Sequence, residues 1–232
     1  MASSVPKQYS ILRGRSVLEW SVAPFLARPD CAGVVIALAA DDQRWTSQAL
    51  SREVRVSTTV GGAERSSSVQ RGLEALRGRA GRNDWVLVHD AARPCLSSVD
   101  LDRLVVTLKD DDVGGLLASA VIDTLKKSDA EGRVTATVSR TDLWRALTPQ
   151  MFRYEVLERA LAQAVQQRVS VTDEAQAVEL LGLQPRLVAG SADNIKITVP
   201  EDLVRAEHIL ATMNAATMNA ATTGPASMSQ DS

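Results

Sequence analysis

A chain of 232 residues with 45% apolar and 23% charged residues is large enough for one α/β domain with a sizeable core. Its net charge of −2 argues against a nucleic-acid surface, which needs a basic excess, and its two cysteines form no CxxC pair or cluster with histidine that would indicate a disulfide framework or zinc site. No apolar run could span a bilayer, and the first ten residues lack the apolar core of a secretion signal, so we expect a cytoplasmic protein without membrane or nucleic-acid partners.

Strand-like runs alternate with amphipathic segments through the first half of the chain. Strands are predicted over residues 33–39, 53–60, 85–89 and 115–121. Helices are predicted over residues 17–26, 64–77 and 99–109. This alternation predicts a mostly parallel sheet with helices on both faces, which is a three-layer, Rossmann-like α/β domain. Ligands bind beyond the carboxyl ends of the strands in such sheets, so the loops at that edge are expected to form the functional rim.

The pattern changes at residues 123–140, where polar and β-favouring residues alternate around a DAEG turn. This segment predicts a hairpin that protrudes from the domain. An isolated hairpin is only marginally stable, so either a second copy of the chain covers it or it is a solvated surface hairpin. The residues alone leave both readings open.

Helices and short strands resume after the hairpin. Two helices are predicted over residues 154–166 and 173–181, the second with Thr172 as its N-cap. Strands follow at residues 186–188 and 195–199, and Pro200 opens a last helix that ends at Met213. The remainder, residues 213–232, repeats ATMNA and has few large apolar groups, so it is expected to be a disordered tail after a domain of residues 1–212.

Three segments place chemically useful residues at the predicted rim. Asp90 directly follows a buried strand, where a carboxylate can hold a divalent cation, and Arg93 can bind an anion; the alternative is a turn-capping aspartate with a surface ion pair. Gly61 and Gly62 lie between a strand and a helix, where they permit close ligand approach or simply form a tight turn. Lys196 stands in an apolar strand-like run, as a phosphate-binding cation or as the charge that protects an edge strand.

Taken in order, these segments resemble the 2-C-methyl-D-erythritol 4-phosphate cytidylyltransferases, a family of the non-mevalonate isoprenoid route. The matching motifs are PKQY at 6–9, GGxxRxxSV at 61–69, WVLVHDAARPC at 85–95, DT at 123–124, SRxxLWxALTPQ at 139–150, TDEA at 172–175, and ADNIKIT at 192–198 followed by PEDL. The resemblance covers about residues 1–212 and implies a nucleotidyltransferase domain. Neither GxGxxG nor GxxxxGK[ST] occurs in the chain, so no common nucleotide motif adds to it.

The resemblance implies transfer of CMP from CTP to methylerythritol phosphate, with Mg²⁺ as cofactor and pyrophosphate as leaving group. It implies that Lys7 and Lys196 are the catalytic cations and that Asp90 helps to hold Mg²⁺. The residues implied around the nucleotide are Gly62, Arg65, Ser68 and Ala91. Those implied to position the acceptor phosphate or line its pocket are Arg140, Thr148, Thr124, Arg93 and Thr172. The resemblance also implies that the hairpin 123–140 is the arm of a homodimer and delivers part of the site to the partner.

One departure concerns the segment before PKQY. In the family, a buried strand and a loop like PAAGxGxRM that wraps the triphosphate come first, whereas only MASSV precedes PKQY here. We expect roughly twenty further residues, one strand and its loop, from a start codon placed at an internal methionine; the alternative is a genuinely short form. The competing functions are a ribitol-5-phosphate-type cytidylyltransferase and a non-catalytic dimeric remnant.

Overall fold

Most of the predicted helices and strands are present, and they follow one another in the predicted order. The structure, a computed structural model, describes the backbone of residues 5–222 and the side chains of residues 5–213. The strands are β1 Ile11–Leu12, β2 Arg15–Ser16, β3 Val34–Leu38, β4 Val56–Val60, β5 Trp85–Val88, β6 Gly114–Ala120, β7 Leu125–Ser128, β8 Val134–Val138, β9 Trp144–Arg153 and β10 Arg186–Ala189. The helices are α1 Val17–Leu26, α2 Arg65–Leu76, α3 Ser98–Leu108, α4 Tyr154–Gln167, α5 Glu174–Glu179 and α6 Glu201–Thr222. Short 3₁₀ turns cover Lys7–Tyr9, Trp45–Ser47 and Ala49–Arg52.

The main sheet is mixed, which corrects the prediction of a mostly parallel one. Its strand order is β10-β6-β9-β5, and β9 runs antiparallel to both of its neighbours while β10 and β6 are parallel. The reason is the hairpin β7–β8, which reverses the chain at the end of β6, so that Ala120 pairs with Trp144 and β9 returns along β6. Helices pack on both faces of this sheet, and the α/β fold is confirmed.

Two apolar clusters cover the two faces of the main sheet. On one face, Leu73 of α2 and Leu157 of α4 pack in one cluster with Phe152 of β9. On the other face, Leu104 of α3 packs with Leu117 of β6. All these side chains are buried, so each face of the sheet has its own apolar core.

The strands β3 and β4 form a separate parallel pair. Helix α1 joins this pair to the main sheet: its Val22 packs in one cluster with Ile36 of β3, and its Phe25 ring lies 5.2 Å from the ring of His89, directly after β5. Helix α2 lies against β3 and β4 as well as against β5, where Leu73 shares a cluster with Val86. The two sheets are therefore connected through α1 and α2, because no strand pairing joins them within residues 5–222.

The predicted hairpin is confirmed, and it stands away from the core. Strands β7 and β8 pair with each other, and all five residues of β8 are exposed in the single chain. Val134 is 64% exposed and Val138 39%, so both project into solvent from a strand that has no second layer of this chain against it. A pairing partner for this arm remains a prediction.

Three details of the C-terminal half differ from the sequence-based expectation. Asp173, not Thr172, caps α5, because its carboxylate accepts the Gln176 N–H while the Thr172 hydroxyl donates to the Gln176 side chain. Residues 195–199 form no strand; the Ile197 N–H donates to the Ala92 carbonyl at 2.8 Å. Helix α6 continues to Thr222, in keeping with the high helix propensity of alanine and methionine, and residues 223–232 of the expected tail lie outside the described part.

Candidate active site

Charged side chains from several distant segments meet just beyond the carboxyl end of β5. Asp90 follows that strand by two residues and lies at the centre. The surrounding charged groups are Arg65 at the start of α2, Arg93 in the same loop as Asp90, Glu174 at the start of α5, and Lys196 in the segment between β10 and α6. We call these five residues the Asp90 cluster.

Three cations converge on the Asp90 carboxylate. Lys196 Nζ lies 3.0 Å from Oδ2, and Arg93 Nε lies 3.4 Å from the same oxygen. Arg65 Nε approaches the other oxygen, Oδ1, at 3.0 Å. Burial alone would raise the pKa of Asp90, but the charge of Arg65 and the hydrogen bond from Lys196 outweigh it and hold that pKa far below its ordinary value. Asp90 is therefore an anion at every physiological pH.

Arg65 is also paired with a second carboxylate, which sequence reasoning missed. Its Nη1 and Nη2 donate to the two oxygens of Glu174 at 2.5 and 3.0 Å, and Glu174 is 1% exposed. Burial lowers the pKa of Arg65, but the carboxylates of Glu174 and Asp90 raise it by more. Arg65 is therefore permanently charged. Every nitrogen of the Arg65 guanidinium donates to a carboxylate. The resemblance implies that Arg65 contacts the nucleotide, but in this structure its donors are already used by Asp90 and Glu174.

A chain of hydrogen bonds fixes the backbone of Asp90. The Arg93 carbonyl can only accept, so His89 Nε2, at 3.1 Å, carries the proton and Nδ1 accepts from the Thr148 hydroxyl at 2.9 Å. The Thr148 oxygen in turn accepts the Asp90 N–H at 3.2 Å. Thr148 is 4% exposed, and its hydroxyl orients the Asp90 loop through these two hydrogen bonds.

Acid is expected to destabilise the fold through His89. Burial lowers its pKa from 6.5 to about 4, so below pH 6.5 the unfolded chain binds a proton that the folded chain does not. Stability contributed by neutral His89 is complete above pH 6.5 and is lost as the pH falls towards 4, with about 2 kcal/mol lost between pH 7 and 5. Urea unfolding across this range measures it. His89→Gln should flatten the dependence, whereas His208→Gln, on the exposed side of α6, should not.

Asn194 joins the segment before α6 to the same loop. Its backbone carbonyl accepts from Arg93 Nη1 at 2.7 Å, and its Nδ2 donates to the Thr148 carbonyl, also at 2.7 Å. This buried side chain thereby sets the path of the chain two residues before Lys196. Among the described residues its Oδ1 is a buried side-chain oxygen without a hydrogen-bond donor.

The glycine pair forms a tight turn between β4 and α2. Gly61 N–H donates to the Leu38 carbonyl at 2.7 Å, and Gly62 N–H donates to Ser68 Oγ at 3.0 Å. A Cβ on Gly62 would lie 2.1 Å from Ser67 Oγ, so only glycine fits without moving that side chain. This hydrogen bond joins Gly62 in the turn to Ser68 of α2, the helix that begins at Arg65.

The other predicted site residues lie outside the Asp90 cluster. Lys7 is exposed, and no hydrogen bond or ion pair of its side chain joins it to another residue among those described; its carbonyl accepts the Ser10 N–H at 3.2 Å, and its 3₁₀ turn is anchored where the Tyr9 hydroxyl donates to Asp42, beyond the end of β3. Arg140 donates to the Ile122 carbonyl at the base of the arm. Thr124, Thr172 and Ala91 are exposed. The cluster therefore brings together Asp90, Arg65, Arg93 and Lys196, backed by Thr148.

Comparisons with known proteins agree with one another. Residues 1–212 match the family model described as IspD: 2-C-methyl-D-erythritol 4-phosphate cytidylyltransferase. The 2-C-methyl-D-erythritol 4-phosphate cytidylyltransferase of Ectopseudomonas mendocina (strain ymp) is 52% identical over 204 residues, which are 88% of this chain and 87% of that protein. A protein of the same name from Pseudomonas fluorescens (strain SBW25) is also 52% identical, over the same shares of the two chains.

Solved structures give the same result at lower identity. The crystal structure of a 4-diphosphocytidyl-2C-methyl-D-erythritol synthase matches with a TM-score of 0.80 and 37% identity, over 88% of this chain and 94% of that one. The 2-C-methyl-D-erythritol 4-phosphate cytidylyltransferase of Francisella tularensis matches with a TM-score of 0.80 and 31% identity, over 90% and 95% of the two chains. The chain described here belongs to the 2-C-methyl-D-erythritol 4-phosphate cytidylyltransferase family.

Proposed function

We propose that this chain transfers CMP from CTP to 2-C-methyl-D-erythritol 4-phosphate, giving 4-diphosphocytidyl-2-C-methyl-D-erythritol and pyrophosphate for isoprenoid synthesis. The observation that carries the proposal is the convergence of Lys196, Arg93 and Arg65 on Asp90 at the carboxyl end of β5. A site that joins two phosphates must hold anions together, and this rim supplies both cations and a carboxylate for a metal.

The chemistry is in-line displacement at phosphorus. A phosphate oxygen of the acceptor attacks the α-phosphorus of CTP, a P–O bond forms, and the bond to the leaving pyrophosphate breaks. Lys196 has the most exposed side chain of the three cations in the cluster, at 38%, so it can turn from Asp90 to a phosphate oxygen. Arg93 is held by Asp90 and the Asn194 carbonyl and acts from a fixed position. Both charges favour the transition state, in which negative charge builds on the phosphate oxygens.

Asp90 fits the role of magnesium ligand. Mg²⁺ usually binds one or two carboxylates together with substrate phosphates, and no group of three or more potential ligand side chains occurs within the described chain. The Asp90 carboxylate is anionic and meets that requirement. Of the side chains that the structure describes, those of Lys196 and Arg93 contact its Oδ2 atom. When bound, Mg²⁺ would neutralise phosphate charge near the α-phosphorus.

Residues outside the Asp90 cluster complete the proposed site. Lys7, beside the carboxyl end of β3, steadies the triphosphate, and Gly62 and Ser68 hold the cytidine. The exposed arm carries Arg140 and Thr124 to the acceptor pocket of a second copy. Exposed valines on β8 support a homodimer, because an isolated hairpin with no apolar cover is only marginally stable.

None of the described helices could cross a bilayer. We propose that the dimer acts in the cytoplasm.

The reaction is tested by incubating the chain with CTP, Mg²⁺ and either methylerythritol phosphate or ribitol 5-phosphate. Pyrophosphate release with methylerythritol phosphate alone is the expected result. Faster release with ribitol 5-phosphate would assign the other acceptor. A folded protein that binds CTP but releases no pyrophosphate with either acceptor would identify a non-catalytic protein and overturn the proposal.

The arm is expected to hold the dimer together. Val134 and Val138 are the exposed valines of β8; the register with β7 shifts between them, so that Val138 lies opposite Leu125 and Val134 opposite Ser128. Replacing both with aspartate should convert a dimer to a monomer in light scattering at micromolar concentration, because any added carboxylate that the interface buries would be an unpaired charge. Val106→Asp, at an equally exposed valine of α3, is the matched control and should remain dimeric. A wild-type protein that is monomeric under the same conditions would refute the arm's role.

A further inference from the structure

Glu174 is a buried carboxylate at the site to which the transfer reaction gives no direct task. It is the first residue of α5 and is held rigidly, because the Gln150 side chain accepts the Ala175 N–H at 2.8 Å and donates to Asp173 at 2.9 Å. Both of its oxygens face Arg65. A carboxylate that is 1% exposed is stable only when paired in this way, and breaking the pair would leave an unbalanced buried charge.

The pairing of Glu174 determines what Arg65 can do. Nη1 and Nη2 are taken by Glu174, so Nε is the only nitrogen left, and it points at Asp90 Oδ1. Arg65 cannot rotate towards a phosphate without abandoning a buried carboxylate. Its charge is therefore balanced before any ligand arrives, and the guanidinium acts as a rigid link between α5 and Asp90.

The two oxygens of Asp90 then have different surroundings. Oδ1 receives the immobilised Arg65, whereas Oδ2 receives Arg93 and the exposed Lys196. When a fixed donor holds one oxygen of a carboxylate, the other oxygen points in a defined direction. Hydrogen-bond partners commonly orient metal ligands in this way. We infer that Glu174 is a positioning residue: through Arg65 it orients Asp90, so that Oδ2 faces the metal and phosphates, and it cancels the charge that Arg65 would otherwise place on Asp90.

This inference rests on the proposed function for its meaning, but its test does not need turnover. Glu174→Gln keeps the shape of the side chain and removes its charge, so Arg65 is drawn more strongly to Asp90 and the cluster gains net positive charge. Affinity for Mn²⁺ alone, followed by electron paramagnetic resonance, should fall about 10-fold or more. Affinity for pyrophosphate without metal, followed by calorimetry, should rise. A variant whose site is merely disordered would lose affinity for both Mn²⁺ and pyrophosphate.

The route through Arg65 is tested with a double-mutant cycle. Glu174→Gln should change Mn²⁺ affinity less than about two-fold when Arg65 is already glutamine, because the link is then absent. The comparison of Arg65→Gln with the double variant remains informative if Glu174→Gln alone fails to fold. Glu155→Gln removes a carboxylate that pairs with Arg82 on the surface and should leave both affinities unchanged.

Either of two binding results would overturn the inference: wild-type Mn²⁺ affinity in Glu174→Gln, or the same loss of affinity with and without Arg65. Wild-type pyrophosphate release at unchanged Mg²⁺ dependence in Glu174→Gln would also contradict it. If wild-type protein binds Mn²⁺ and pyrophosphate but transfers no CMP, the proposed function fails while the binding shifts still decide the role of Glu174.

Discussion

Asp90→Asn is expected to lower kcat/KM for CMP transfer by about 10²–10³-fold, since one substitution removes both a metal-binding charge and the counter-ion of three cations. Asparagine keeps the size of the side chain but is a weak ligand for Mg²⁺. Lys196, which lies 3.0 Å from Oδ2, would lose the anion that holds it at the rim. The loss should therefore appear in kcat as well as in the Mg²⁺ concentration needed for half-maximal rate.

The measurement is initial pyrophosphate release across a Mg²⁺ titration, with circular dichroism to verify the fold. Asp193→Asn is the matched control, because Asp193 is an exposed carboxylate on the segment that carries Lys196 and lies outside the Asp90 cluster. That variant should keep the wild-type rate. Activity of Asp90→Asn within three-fold of wild type would show that the Asp90 cluster is not where phosphates meet.

The order of elements was predictable from sequence because buried strands and helix faces have distinct periods. Strand β9 was not predicted, and Pro149 explains why: proline cannot donate to a ladder and argues against a central strand. Pro149 lies at a point of β9 where the strand pairing is interrupted. The pairing of β9 with β5 ends at Gln150, and its register with β6 shifts at residues 147–149. The same irregularity frees the Thr148 carbonyl for Asn194.

Only some residues of the candidate site could be predicted from the sequence. Asp90 and Lys196 stand out because each is a charge beside a buried apolar run. Glu174 does not, since an acid in the first turn of a helix is ordinarily explained by the helix dipole. Only the packing of α5 against the sheet reveals that this side chain turns inward to Arg65. Among residues 5–222, the β3–β4 pair and the main sheet are separate, with no strand pairing between β3 and β5.

Gly115→Ala is expected to destabilise the fold by at least about 3 kcal/mol, a large fraction of a typical domain's stability. Strand β6 lies between β10 and β9, and a Cβ on Gly115 would lie 2.0 Å from the Arg186 carbonyl oxygen. That neighbour is backbone, so relief requires β10 to move away and lose its pairing with β6. Gly114→Ala should be at least as harmful, because Gly114 has φ +105° and its Cβ would lie 2.3 Å from the Met151 carbonyl oxygen.

Urea denaturation followed by circular dichroism measures this effect as a lower midpoint at unchanged slope. Gly72→Ala makes the same chemical change inside α2, where an added Cβ meets nothing within 4 Å. It should raise stability by about 0.5–1 kcal/mol, since alanine is the better helix former. Opposite signs from one substitution would show that the close approach of β6 and β10 requires glycine. A Gly115→Ala midpoint equal to wild type would instead mean that the two strands are not packed as closely as described.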